Sequence, residues 1–297
     1  MKKILFIALL LLSSTSQAAL NVFACEPEWA ALTHELAGDK VNLYTATGAL
    51  QDPHQVQARP SLIAKARNAQ LLICTGAELE IGWLPVVLRE STNRAIAAGS
   101  IGNFEAAKYV VMREIPGHLD RADGDVHAMG NPHIQTDARN FLPIAEALSK
   151  RLSQLDPANA DFYQQRLAGF EQHWRAAIVK WEALAAPLKG VNIVAQHKGF
   201  PYLNAWLGLH EVTELEPKPG MEPSASHLEQ VLGELQQHPA KMVIRAAYQD
   251  ERPSAWIAQR TQIKAVTLPF TVGGTPQAGD LYGLFDDTIA RLLAGLQ

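Results

Sequence analysis

Long apolar runs and clusters of like charge are both scarce in this chain of 297 residues, and each scarcity excludes a class of function. Lys and Arg number 26 against 30 Asp and Glu, with no basic run or basic aromatic stripe. Nothing supplies the phosphate-neutralising surface that nucleic acid demands, so no nucleic-acid partner is expected. Beyond the first residues no segment approaches the ~20 apolar residues that cross a bilayer, so no stable membrane insertion is expected. A His-Glu-x-x-His helix and a Gly-x-Ser-x-Gly elbow are both missing, which removes familiar marks of a zinc protease or a serine hydrolase. Cysteine occurs twice. What is present, 47% hydrophobic and 19% charged residues, is the profile of a globular chain with a substantial core and excludes disorder of the whole.

Lys2 and Lys3 precede an apolar run at 4–12, and Ser16-Gln17-Ala18 forms a small-x-small end of the kind that signal peptidase cuts. The chain is expected in the periplasm as a soluble monomer, with residues 1–18 removed near Ala18. A lipid-anchored alternative would modify Cys25, although bulky Phe23 stands where such sites prefer a small residue. Losing two lysines leaves 24 basic side chains against 30 acidic ones, a balance that mildly attracts cations. In an oxidising compartment two thiols tend to pair. Val22-Phe23-Ala24-Cys25 and Leu71-Leu72-Ile73-Cys74 read as neighbouring strands of one sheet, so a Cys25–Cys74 disulfide is expected, with two buried free thiols as the alternative.

Strand-like and helical patterns alternate at 21–25, 29–37, 41–45, 61–68, 71–74 and 83–90, and a second series runs through 191–195, 224–237, 242–245, 253–260, 265–268 and 281–296. Such alternation marks βα units and parallel sheets. Between the series, Asp156-Pro157 reads as a helix start. Phe162, Leu167, Phe170, Trp174, Ile178, Trp181 and Leu184 then recur mostly every three or four residues until Pro187. The fold class expected is α/β, with two (β/α) lobes of parallel sheet at 19–155 and 188–297 joined by a long rigid spine helix at 156–187.

Three of the ten histidines stand in segments suited to exposure at strand ends: Asp52-Pro53-His54, Asn131-Pro132-His133, and Gln196-His197-Lys198 directly after an apolar strand. Proline before His54 and His133 forbids regular helix there. In open α/β sheets, ligands bind outside the carboxyl ends of strands, which places His197 well. A solitary histidine is more often a hydrogen-bonded structural residue, and the spacing of these three is too wide for a local chelate. Only the tertiary fold can bring them together. His34, His173, His227 and His238 fall in helical contexts or at helix ends and read as solvated.

Several motifs in order give the mature chain a resemblance to a known family. Asp52-Pro53-His54 with Arg59-Pro60-Ser61, Gly76-Ala77-Glu78-Leu79-Glu80 with Trp83-Leu84, Asn131-Pro132-His133, His197 with Phe200-Tyr202-Leu203, and Glu216-Pro217-Lys218-Pro219-Gly220 resemble the metal-binding solute-binding proteins of bacterial ABC importers for zinc and manganese. The resemblance implies a metal held in the cleft between the lobes, with His54 and His133 from the first and His197 from the second. Family members usually take a fourth ligand from an acid in a Leu-Asp-Pro-Leu-Gly-like segment. Here the stretch reads Leu268-Pro269-Phe270-Thr271-Val272-Gly273-Gly274, without an acid. Asp280, His127 or water is left to complete the set. Three imidazoles with at most one carboxylate favour Zn²⁺ over Mn²⁺.

The function so implied is capture of Zn²⁺ and delivery to the membrane permease of an ABC importer, with a periplasmic metal chaperone as a further candidate partner and no catalysis. The 120–133 stretch, with three acids and two histidines, could collect zinc before the main site or simply be a solvated loop. Glu78 and Glu80 read as lobe-packing or solvated residues, and Glu216 as shaping a cleft loop. The rival functions are metal buffering or adhesion on the same fold, and a three-histidine zinc hydrolase.

Overall fold

The computed structural model describes residues 19–118, 124 and 126–297; the expected signal segment and part of the 120–133 loop lie outside the described residues. The first half runs β1 (Leu20–Ala24), α1 (Pro27–Ala37), β2 (Val41–Thr45), α2 (Pro60–Arg67), β3 (Leu71–Cys74), α3 (Leu84–Ser91), β4 (Asn103–Glu105) and α4 (Phe141–Leu155). The long α5 (Ala160–Ala185) follows. The second half is β5 (Asn192–Ala195), α6 (Pro201–Leu207), β6 (His210–Glu214), α7 (Ala225–Gln237), β7 (Met242–Ala246), α8 (Arg252–Thr261), β8 (Lys264–Leu268) and α9 (Leu281–Gly295). Each half holds one wholly parallel sheet, ordered β2-β1-β3-β4 and β6-β5-β7-β8. The expected α/β class with two parallel sheets holds.

The central strands are almost continuously apolar because helices cover both faces. Their alternation sends Val22, Ala24, Leu71, Ile73, Ile193, Ala195, Met242 and Ile244 into one core that runs through both halves. The opposite faces feed two smaller clusters. Phe23, Cys25, Leu72 and Cys74 pack under α2 and α3, while Val194 and Val243 pack under α7 and α8. Proline occupies the first turn of α1, α2, α3, α6 and α8, where its missing N–H costs nothing. These helix starts set the lengths of the strand-to-helix loops.

At 26 residues and 1.5 Å per residue, α5 is about 39 Å long. It packs against α1 and α4 of the first half and α9 of the second. Arg166 Nε donates to the Glu35 carbonyl at 2.7 Å, and Lys180 and Trp181 both reach Asp286 at 2.7 Å. Trp174 lies at its centre, in ring contact with Phe141 of α4 and with Tyr282 and Phe285 of α9. A shared core and a helix tied at both ends oppose independent motion of the halves.

Two details of this helix depart from expectation. Its buried stripe is Tyr163, Phe170, Trp174, Ile178, Trp181 and Ala185, so Phe162 is half-buried and Leu184 exposed. Asp156 does not cap an amide: its Oδ2 accepts from Tyr163 Oη and Asn159 Nδ2, each at 2.7 Å, and a short turn at Pro157–Asn159 intervenes before α5. Further elements go beyond those expected: α4, whose apolar face is Phe141, Ile144, Ala145, Leu148 and Leu152, together with α6 and the strands β4 and β6. No helix among the described residues is long and apolar enough to cross a membrane.

Candidate metal centre

His54 stands in the loop after β2. The Asp52 Oδ1 atom accepts from the His54 backbone N–H and pairs with its ring Nδ1, both at 2.9 Å. An Asp two residues ahead of a turn is well suited to this bond. Trp83 Nε1 donates to the Pro53 carbonyl at 3.0 Å, and a Cβ on Gly82 would come within 2.9 Å of the His54 carbonyl. The loop is therefore packed against the turn before α3.

His133 is buried in the long connection from β4 to α4. Asn131 Oδ1 accepts its backbone N–H at 3.0 Å, while Asn131 Nδ2 donates to the Lys198 carbonyl at 2.7 Å. Tyr202 Oη donates to the Asn131 carbonyl at 2.8 Å and accepts from the Arg113 N–H at 3.0 Å. These bonds stitch the first half's loop to the second half beside the site.

His197 follows β5 by two residues and ends in the short loop that Pro201 closes by starting α6. A Cβ on Gly199 would meet the Phe270 ring at 3.2 Å and His197 Cδ2 at 3.3 Å, so glycine is what lets that loop fold over the imidazole. Glu216 Oε2 pairs with His197 Nδ1 at 2.7 Å and also accepts the Gly220 N–H at 2.8 Å. Glu216 thus holds the ring itself, a closer role than shaping a loop.

The three imidazoles converge. Their ring centroids lie 5.3, 5.8 and 5.4 Å apart, and one ligand atom from each falls within 4.8 Å of the others. His133 Nε2 and His197 Nε2 are 3.3 Å apart. Two nitrogens at 2.0–2.1 Å from a tetrahedral Zn²⁺ stand about 3.3 Å apart. With Asp52 and Glu216 each taking an Nδ1–H, the Nε2 lone pairs of His54 and His197 are left for an ion. His54 Nε2 is buried with no hydrogen-bond partner among the described residues. Burial, then the neighbouring His54, His197 and His127, hold His133 well below the ordinary histidine range, so it is neutral and ready to coordinate.

The candidates for a fourth ligand are placed differently. The His127 ring stacks on His54 at 5.4 Å, and burial followed by His54 and His197 pushes its pKa down to about 4. Asp280 is not brought to the histidines: it is exposed and caps α9, accepting the Gly283 N–H at 2.7 Å. Phe270, within the acid-free stretch 268–274, takes a left-handed φ of 67° and packs its ring 5.3 Å from His133.

Cys25 and Cys74 form the expected disulfide. That bond removes Cys25 as a lipidation site, and it closes the other gathering of ligating residues found among the described residues, Cys25, Cys74 and Glu80. Glu80 is buried, accepting the Thr75 N–H at 2.8 Å and Gly76 N–H at 3.1 Å. Glu78 Oε2 accepts the Ala128 N–H at 2.6 Å and so holds the loop that carries His127. Exposed His34, His173 and His238 lie away from the cluster, and His227 in α7 is half-buried.

The model of the family described as zinc-uptake complex component A, periplasmic, matches residues 22–295. The chain belongs to this family. Its members are substrate-binding components of ABC metal importers rather than enzymes. A manganese ABC transporter substrate-binding lipoprotein, PsaA of Streptococcus pneumoniae, is 25% identical over 282 residues, covering 91% of this chain and 86% of that one. The fold is shared with a crystal structure of ZnuA (TM-score 0.77, 20% identity, 94% of this chain and 100% of that one). It is shared equally with FpvC of Pseudomonas aeruginosa in complex with Mn²⁺ (TM-score 0.78, 18% identity, 94% and 98%). Relatives thus include proteins named for both metals.

Proposed function

We propose that this protein captures Zn²⁺ between lobes at 19–155 and 188–297 and delivers it to the permease of an ABC importer, with residues 156–187 as the spine. Residues 1–18 serve as the export signal on this reading. The observation that carries it is the donor set: three convergent imidazoles, with Phe270 rather than a carboxylate packed beside them. Imidazole nitrogen suits borderline-soft zinc, whereas manganese selects oxygen donors.

The mechanism is binding without covalent change. Asp52 and Glu216 fix the tautomer and direction of their rings, so little is lost in ordering ligands when the ion arrives. One imidazole from the second half and two from the first make the ion a bridge. Protons compete with it, because only neutral imidazole coordinates, so affinity falls as pH drops below about 6.

The test is competitive titration of zinc and manganese on purified protein and on His54→Ala, His133→Ala and His197→Ala. Zinc is expected to bind 1:1 and at least about a hundredfold more tightly than manganese. Each variant should lose more than the 10–100-fold typical of removing a residue that only supports a ligand. Preference for manganese, or variants that bind zinc like the parent, would refute the reading.

A further inference from the structure

We propose that the crevice beside His54 and His197 is the entry route of the ion, where a divalent cation is held with its water shell before it passes to the imidazoles. This rests on the reading that the three imidazoles hold a divalent ion. The crevice is a cavity of about 540 Å³ whose walls include Asp52, His54, Gln196, His197, Glu216 and Glu222. An ion with six waters takes roughly 180 Å³ at about 30 Å³ per water, so it fits without shedding them.

Charge decides between two ways in. Asp52, Glu216, Glu222 and Asp250 line this crevice, with Arg252 as the permanent cation among its walls. Arg252 Nε donates to Asp250 Oδ2 at 2.7 Å, so that pair cancels. Asp52 and Glu216 are bonded to imidazoles, which carry no charge when they coordinate. Glu222, whose field reaches Arg252, makes no direct hydrogen bond or ion pair among the described residues. The crevice is therefore left with an excess of negative charge. A second cavity, of about 330 Å³, borders His133 and His197 but sets Glu114 and Glu214 against Lys198 and Lys218 and has no such bias. Clefts lined by one sign of charge focus the field and raise counter-ion association by roughly 10–10³-fold.

A buried acceptor in the same wall points to an occupant that donates. Gln196 is 4% exposed; its Nε2 donates to the Asp250 carbonyl at 2.8 Å, while its Oε1 makes no hydrogen bond among the described residues. A buried amide oxygen left unpaired is costly, and the water of an aquated cation is a strongly polarised donor. Carboxylate and amide oxygens that bond to the waters draw in divalent cations of any kind, so the choice of zinc is left to the nitrogens. Of the three imidazoles, His54 and His197 line the crevice and His133 does not, so an ion arriving here meets those two first. At each transfer one imidazole nitrogen replaces one coordinated water, which leaves to solvent.

The experiment uses the full mature chain and Zn²⁺ alone, with association followed by stopped-flow tryptophan fluorescence and dissociation by chase into a chelator. It is run at about 0.01 M ionic strength, where the screening length is about 30 Å. Glu222→Gln is expected to slow association about threefold and Glu222→Lys about tenfold, while Arg252→Gln, which frees the charge of Asp250, quickens it about threefold. Dissociation should stay within about twofold of the parent in all three, and the differences in association should close at about 0.5 M salt. Mg²⁺ at about 5 mM, an ion that keeps its waters, should slow zinc entry at least about twofold against NaCl of equal ionic strength. Equal rates in parent and variants, or slowing by Glu114→Gln and Glu214→Gln instead, would overturn the route while leaving zinc capture intact. Indifference to Mg²⁺ would overturn the holding step. Failure of the parent to bind zinc 1:1 would instead sink the reading beneath the proposal.

Discussion

The two sheets share one strand order, yet their equivalent crevices have opposite fates. In the first, Cys25 just after β1 and Cys74 at the end of β3 are joined, with Cα atoms 4.8 Å apart, and buried carboxylates follow the same strand ends. Glu26, Glu28 and Glu80 are all buried, and Thr271 of the second half donates its hydroxyl to Glu28. In the second, the matching strand ends carry His197 and Tyr248 and border a cavity. The same topology therefore holds a disulfide with buried acids in one half and borders a cavity in the other, which the proposed function makes a ligand site. What differs is the handful of residues after each strand: sulfurs that bond and acids that hold protons, against an imidazole and a phenol.

Breaking the sealed crevice should alter stability and spare binding. The double change Cys25→Ser/Cys74→Ser removes a cross-link spanning 49 residues, which in the chain-entropy treatment is worth about 4 kcal/mol. Denaturant unfolding should report a loss of that order, with zinc affinity within about threefold of the parent. A large loss of affinity with stability unchanged would reverse the roles assigned to the two crevices.

The buried acids give the next largest effect. Burial raises Glu28 from 4.5 to about 7, with the Thr271 hydrogen bond opposing, and burial likewise raises Glu80 to about 7. Burial, then the charges of Glu80 and Glu28, drives Glu26 up as well. Between pH 4.5 and 7 the folded state holds a proton on Glu28 that the unfolded state releases, so stability falls as pH rises through that window. For Glu28 the fall amounts to about 3 kcal/mol. Glu28→Gln should flatten the slope, read as the difference between variant and parent in urea unfolding at pH 5 and pH 8. Identical slopes would show that this carboxyl is ionised throughout.

In the open crevice, Glu216→Gln should cost about 10–100-fold in zinc affinity by releasing His197 Nδ1, with unfolding little changed. The smallest change sharpens metal choice. Phe270→Asp places a carboxylate beside His133 at a left-handed position that Asp tolerates, and the manganese-to-zinc affinity ratio should rise about tenfold. An unchanged ratio would mean that residue 270 does not face the ion.

Much of this was legible in the residues. Proline-marked helix starts and apolar strand runs place β2 and β3 where expected, while a common cleft for the three histidines came only from the family resemblance. The disulfide followed from two cysteines ending neighbouring strands. What was not legible depended on contacts between distant segments. Glu216 gives no local sign that it reaches back to His197, and Glu26, Glu28 and Glu80 look like ordinary surface acids until the fold buries them. Asp280 looked like a free carboxylate near the site, but its place just before an apolar helix suits it to capping. The short β4 and β6 lie in stretches whose polar residues hide a strand pattern. By contrast α4 carries a regular apolar spacing, so its signal was present and overlooked.

Zinc K-edge absorption of the loaded protein tests the shared ion most directly. The account predicts three nitrogen scatterers at about 2.0–2.1 Å with imidazole multiple scattering, together with one further nitrogen or oxygen ligand. One scatterer should vanish in His197→Ala. Sulfur at about 2.3 Å, or a spectrum unchanged by that substitution, would contradict a centre built from both halves of the chain.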